Sequence, residues 1–261
     1  METIEIVIKD AAAQIYLNRP KIHNAFNEVM LGELIKVFQD LYKRKGEIRV
    51  VILTGRGKSF CAGADLNWMK KMIDFSYEEN LKDSYQVSKC MYLLYSLPMP
   101  TIARVNGAAI GGGMGLVGAS DIVIAQEEAV FSLSEVKLGL VPACISPYVV
   151  KRAGESKCRE FFLSGERITA SKALSAGLIN EIVPLSKLDE AVQRWKERFM
   201  KNGPEALSVC KDLLEKVPGM SLDKAKKYTA EVISKLRISK EGQEGMKAFL
   251  EKRRPDWRID V

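Results

Sequence analysis

The sequence predicts an α/β body to about residue 195, followed by a helix-only unit over residues 196–261. Two features carry this reading. In the N-terminal part, short runs rich in β-branched residues alternate with stretches of helical periodicity, an order that implies crossover connections and mostly parallel strands. From about Leu188 the strand-like runs stop and only helical segments follow.

IEIVIKD and AQIYLNR read as strands from their alternation, and Pro20 stops the second. From Glu28 to Tyr42, apolar Val29, Leu31, Leu34, Ile35, Val37, Phe38 and Leu41 recur at near-helical spacing. RVVILTG is a continuous apolar run, the pattern of a strand buried on both faces. A polar, helical insertion is expected roughly from Asp74 to Tyr95, closed by Pro98 and Pro100. TIARVNGAAI reads as one more buried strand, a short apolar helix spans Leu116 to Ala119, and IVIAQ and AVFSLSE continue the strand series. Four helical segments then follow. Leu188 to Asn202 ends before Gly203, and Pro204 stands at a first helical position of a helix ending near Val217. Ser221 and Ser239 are the expected N-caps of the last two.

Composition bounds the function classes. Of 261 residues, 47% are apolar and 28% charged, ordinary values for a globular protein with a real core. Runs such as VPACI and VVILTG fall well below the roughly 18–20 residues of a membrane-crossing helix. METIEIVIKD carries Glu2 and Glu5 with no basic stretch before an apolar one, so no signal peptide is read and a cytoplasmic location is expected. The five cysteines (61, 90, 144, 158, 210) form no CxxC pair and read as free thiols. A single histidine, His23, argues against a His-rich zinc site, and no metal is expected. The net charge of +7 fits Lys-rich helices solvating the surface, or attraction of a phosphorylated ligand. No basic run interleaves with aromatics, so nucleic acid is disfavoured as a partner.

Three segments could carry chemistry. Ile110-Gly111-Gly112-Gly113-Met114-Gly115 follows a buried strand and opens a helix, where free N–H groups can hold an anion or an oxygen becoming one. A tight strand–helix contact needing small residues explains the same glycines equally well. Gly113, Gly115 and Gly118 also match G-x-G-x-x-G literally, with Glu127 downstream. The seven or so residues from Gly113 to Asp121 are too few for the crossover helix of a dinucleotide site. Phe60 to Leu66 is a second small-residue turn after a strand, in which Asp65 reads first as a helix cap. Glu135 sits among apolar neighbours. It is either buried and functional, or a surface residue beside Lys137.

LNRPKIHNAF, GKSFCAGADL, PMPTIARVNGAAIGGGMGL, DIVIA, FSLSEVKLGLVP, SGERITASKALSAGLINEIV and FLEKRRPDW, in this order, resemble the crotonase superfamily, that is the enoyl-CoA hydratase/isomerase family, over nearly the whole chain. The resemblance implies a crotonase-type spiral of ββα units with a helical C-terminal oligomerisation region, assembling as trimers or dimers of trimers. It implies an acyl-CoA substrate and no cofactor beyond that CoA moiety. Carried over by motif, Ala64 and Gly112 are the oxyanion-hole residues, acting through their backbone N–H groups, and Glu135 is a catalytic glutamate. Ala62, Asp65 and Leu66, with the LNRPKIHNA loop, resemble the CoA cradle. Lys21 would meet a phosphate, and Lys252 would reach a CoA bound by the adjacent subunit. His23 falls at a variable position with no catalytic role.

Two departures bear on the reaction. Many hydratases place a first catalytic glutamate two residues after the GGG triplet, and here that residue is Gly115. The usual glycine-rich stretch after L-G-x-x-P reads GLVPACISPYVV, which resembles the bacterial branch hydrating branched, carboxylated enoyl-CoAs such as methylglutaconyl-CoA. The expected activity is hydration of a C2=C3 double bond. A Δ3,Δ2-enoyl-CoA isomerase is the alternative, since one glutamate suffices to shuttle a proton. A non-catalytic or RNA-binding homologue is the alternative from another class. Trp68, Met69, Met72 and Tyr148 are candidates for the acyl pocket.

Overall fold

The computed structural model describes residues 1–258. Nine strands and ten helices follow one another among them. The chain runs β1 (Ile4–Lys9), β2 (Ala12–Leu17), α1 (Glu28–Lys43), β3 (Val50–Gly55), α2 (Leu66–Met72), α3 (Tyr77–Tyr95), β4 (Thr101–Val105), β5 (Ala109–Ile110) and α4 (Gly112–Ala119). It continues through β6 (Ile122–Gln126), β7 (Val130–Ser132), α5 (Ser146–Ser164), β8 (Arg167–Thr169), α6 (Ala170–Ser175) and β9 (Glu181–Val183). The last helices are α7 (Leu188–Met200), α8 (Pro204–Lys216), α9 (Leu222–Ile238) and α10 (Lys240–Leu250). No described helix is long and apolar enough to cross a membrane.

A six-stranded sheet has the order β1-β2-β3-β4-β6-β9, and a three-stranded sheet the order β5-β7-β8. All pairs are parallel except β1–β2 and β7–β8. Asp10 and Ala11, at φ 50° and 54°, make the two-residue turn that twists β1 back onto β2. The apolar run of β3 follows from burial on both faces. Val51 and Leu53 join the main core with α1, α3, α4 and α5. Val50 and Ile52 face the other way, onto Leu188, Ala191, Val192 and Met200 of α7. Residue 195 therefore falls within a helix whose apolar face covers the sheet.

TIARVNGAAI is two strands rather than one, because β4 and β5 belong to different sheets. Asn106 makes the break: its Nδ2 donates to Gly57 O (2.9 Å) and its Oδ1 accepts from Gly55 N–H (3.2 Å). Gly107 is pressed so closely onto Lys58 O that no side chain fits there. The expected insertion from Asp74 to Tyr95 begins earlier and is two helices, α2 and α3. AVFSLSE leaves strand geometry at Ser132, so Glu135 lies in a 3-10 turn, Ser134–Leu138. The apolar helix starts at Gly112 rather than Leu116. Ser221 and Ser239 cap α9 and α10, accepting from the N–H groups of Lys224 and Gly242.

Candidate active site

Two irregular segments meet at the centre of the molecule, and each is held by a one-residue parallel bridge. Phe26 pairs with Ala64, and Cys61 with Ala109. In the first bridge, Phe26 N–H donates to Gly63 O and Asp65 N–H to Phe26 O, both at 2.7 Å. This pattern uses the groups flanking Ala64 and turns the N–H of Ala64 itself away from Phe26. Gly112 is the first residue of α4, where an N–H has no intrahelical acceptor. Neither Ala64 N–H nor Gly112 N–H donates to an acceptor among the described residues.

The two donors are neighbours because the glycines before them touch. Gly63 (φ 93°) and Gly111 (φ 49°) occupy backbone conformations that disfavour side chains. A Cβ on Gly111 would stand 3.7 Å from Gly63 Cα and 3.3 Å from Glu135 Oε1. Phe26 fastens the second side: its ring lies so close to Gly112 that a Cβ there would come within 2.6 Å. Ala64 is exposed and Gly112 partly exposed, whereas Gly63, Gly111 and Gly113 are buried. The pair of N–H groups is thus rigidly backed and open in front, the arrangement that stabilises charge on a carbonyl oxygen.

Glu135 borders this pair. Its Oε2 is buried and has no hydrogen-bond partner. Burial pushes its pKa up, with only its own backbone N–H acting against the shift. Lys137 does not neutralise it, because that lysine pairs with Glu166 at 3.5 Å. A carboxyl group beside two open N–H donors is placed to take and return a proton. Cys61, shortly before Ala64 in the chain, is fully buried, and that burial raises its thiol to about 12, which disfavours the reactive thiolate.

The remaining expected site residues divide. Lys21 is exposed in the 3-10 turn Pro20–Ile22, and Leu66 is 73% exposed at the start of α2. Ala62, two residues before the bridge, is half-buried and donates its N–H to His23 O (3.0 Å). Asp65 points inward. It caps α2 by accepting from Asn67 N–H (2.7 Å) and pairs with Arg19 (2.7 Å). Burial opposes its charge, but the Asn67 and Arg19 contacts outweigh it and hold its pKa below the usual range. Lys252 lies in a left-handed turn after α10, its N–H bonded to Phe249 O. Trp68 is buried and Met72 packs on the core. Tyr148 lies against Tyr95 (ring centroids 5.4 Å apart) in a groove that α8 also lines and that does not include Glu135.

Sequence reasoning places Arg19 and Asn24 only within the cradle loop LNRPKIHNA, without a role of their own, and does not single out Phe26 or Ile145. Asn24, 0% exposed and at φ 57°, accepts from Arg19 N–H and donates to Arg56 O and Ser59 O. Its side chain ties the two loops that carry Lys21 and Ala62. An asparagine ahead of an apolar run is a left-handed turn signal, but its partners are more than thirty residues away. Gly113, Gly115 and Gly118 face Cys61, Ile145 and Val149 within α4, so the literal G-x-G-x-x-G is a helix-packing pattern.

The model of the family described as "Enoyl-CoA hydratase/isomerase" matches residues 7–259. The chain belongs to the enoyl-CoA hydratase/isomerase family. A solved enoyl-CoA hydratase from Shewanella pealeana superposes with a TM-score of 0.94 at 42% identity, covering 98% of this chain and 96% of that one. The 2,3-dehydroadipyl-CoA hydratase of Escherichia coli is 32% identical over 93% of both chains. The short-chain-enoyl-CoA hydratase of Clostridium acetobutylicum is 32% identical over 93% of this chain and 92% of its own. The second residue after the glycine triplet, Gly115, is closed to a side chain. A Cβ on Gly115 would collide with Ile145 Cγ2 and stand 3.0 Å from Met91 Sδ.

Proposed function

We propose that this chain hydrates the C2=C3 double bond of an enoyl-CoA thioester, using Glu135 as its one catalytic carboxylate. The observation that carries the reading is the buried, unpartnered Glu135 Oε2 beside Gly111 and the two open N–H groups. The thioester oxygen accepts from Ala64 N–H and Gly112 N–H, which stabilises enolate character as the nucleophile adds. Glu135 accepts a proton from the water that attacks C3 and supplies the proton that C2 receives. Lys21, Ala62 and Leu66 form the CoA cradle on the exposed side of the bridge, and Asp65 supports it from behind. Lys252 serves a CoA on a neighbouring subunit in a trimer or dimer of trimers. The helical unit leaves Leu222, Ile238, Phe249 and Leu250 exposed for such contacts.

A buried carboxylate without a partner costs folding free energy, so it is expected where chemistry uses it. That argues against a non-catalytic or RNA-binding scaffold. The isomerase reading has its own supporting observation. Residue 115 is a glycine closed in by Ile145 and Met91, so it supplies no second carboxylate, and a Δ3,Δ2 shift needs only one. Turnover of a panel of 2-enoyl- and 3-enoyl-CoA esters, 3-methylglutaconyl-CoA included, tests the reading. Conversion of 2-enoyl esters to 3-hydroxyacyl-CoA supports hydration. Conversion of 3-enoyl esters alone would replace it with the isomerase, and no turnover at all would remove both.

A further inference from the structure

The N–H of Ala64 owes its direction to one bridge, and a single side chain holds both strands of that bridge. Arg19 Nη1 donates to Ala25 O (2.7 Å), the residue before Phe26. Arg19 Nη2 pairs with Asp65 Oδ2 (2.7 Å), the residue after Ala64. Asp65 is 6% exposed, and its other oxygen accepts from Asn67 N–H. The guanidinium therefore spans the pair Phe26–Ala64 from outside, gripping the segment before one member and the segment after the other.

Arg19 is itself fixed. Its backbone N–H donates to Asn24 Oδ1 (2.9 Å), and Asn24 is bonded onward to Arg56 O and Ser59 O. A rigid fork that donates to two acceptors at defined angles is what arginine offers and lysine does not. A one-residue bridge has only two backbone bonds, here both on Phe26, and the clamp adds a charged side-chain tie across the same pair.

We propose that Arg19, acting through Asp65, is a positioning residue that aims the Ala64 N–H at the substrate oxygen. Arg19 does not touch the reacting atoms. The proposal rests on the oxyanion role of Ala64. Loss of the clamp lowers kcat more than it raises KM, because the misaimed donor matters most as charge develops on the oxygen. A displacement of about 1 Å at a reacting group can cost on the order of a hundredfold in rate.

The test uses the full-length protein with Arg19→Met, Arg19→Lys and Asp65→Asn. Asp65→Asn keeps an oxygen to cap α2 while removing the charge pair, and Arg19→Lys keeps the charge while losing the fork. Two quantities are read: kcat and KM on a turned-over enoyl-CoA, and the isotope-edited infrared stretch of butyryl-CoA labelled with 13C at the thioester carbonyl. In wild type the bound stretch is lowered relative to free butyryl-CoA. In Arg19→Met kcat falls about tenfold to a hundredfold, KM stays within about threefold, and much of the lowering is lost. Arg19→Lys and Asp65→Asn fall between. If Arg19→Met does not fold, the same comparison is made on the other two variants. Variants that melt earlier yet keep kcat and the lowered stretch would show a purely structural pair and overturn the proposal. A wild-type protein that leaves the stretch unshifted overturns the oxyanion reading, and this proposal with it.

Discussion

The Cγ2 methyl of Ile145 fills the space that a side chain on residue 115 would enter. Met91 Sδ closes the same space from α3, 3.0 Å from the position of the absent Cβ. The missing second carboxylate is thus not a simple deletion that left a hole. Gly115 and Ile145 fit each other, and Met91 completes a packing contact that is apolar throughout.

Gly115→Glu alone is therefore expected to destabilise the fold and to gain no activity. Overpacking costs about 1–3 kcal/mol before any charge is buried. Adding Ile145→Ala should recover part of that loss, with a coupling of roughly 0.5–3 kcal/mol in a double-mutant cycle. Urea unfolding of the four proteins measures it, and additive effects would mean that the two residues do not share this space.

Glu135→Gln should lower kcat by about 10²–10⁴-fold while acyl-CoA binding is retained. Its effect on stability has the opposite sign. Burial raises the Glu135 pKa in the folded state. The folded protein then holds this proton more tightly than the unfolded one, so its contribution to stability is full below the unfolded pKa. It is lost as pH rises through the folded pKa. Melting curves from acid to neutral pH should show this decline in wild type and a flatter profile in Glu135→Gln. Parallel profiles would mean that the carboxyl group is solvated.

Asn24→Ala should destabilise the protein by about 1–3 kcal/mol, since it removes three hydrogen bonds of a fully buried side chain, to the part-buried Arg19 N–H and Arg56 O and to the buried Ser59 O. It should also raise KM, because the loops bearing Lys21 and Ala62 are no longer joined. Denaturant unfolding and steady-state kinetics on the same preparation check both. A loss below about 0.5 kcal/mol, the level of an ordinary surface substitution, would contradict the role given to Asn24.

Lys21→Ala should raise KM for acyl-CoA several-fold with kcat unchanged, and the difference from wild type should shrink as salt is added. Lys21 is exposed, so its attraction for a phosphate is screened over about 8 Å at physiological ionic strength. A KM difference that is independent of salt would assign Lys21 a packing role instead.

Much of this was legible in the sequence because it is local. β3 announced its burial as an unbroken apolar run, and Ser221 and Ser239 announced the starts of α9 and α10. The glycines at 111 and 112 and the carboxylate at 135 could be singled out by type and by their place after strands. Their convergence was not visible from spacing and came from the family resemblance. TIARVNGAAI was misread because its apolar pattern is continuous, while the break depends on Asn106 bonding to residues some fifty positions earlier. Arg19 falls within the LNRPKIHNA loop, but spacing does not show that it reaches Asp65 and Ala25 on either side of the bridge. Ile145 could not be linked to Gly115 from the sequence, since a glycine does not say what fills its missing side chain.

The most direct test of the central claim is turnover of a 2-enoyl-CoA in 18O-labelled water, with wild type and Glu135→Gln compared. The expected result is a 3-hydroxyacyl-CoA carrying 18O, formed by wild type and slowed at least about a hundredfold in the variant. Turnover without 18O in the product, or a Glu135→Gln variant as fast as wild type, would contradict hydration through Glu135.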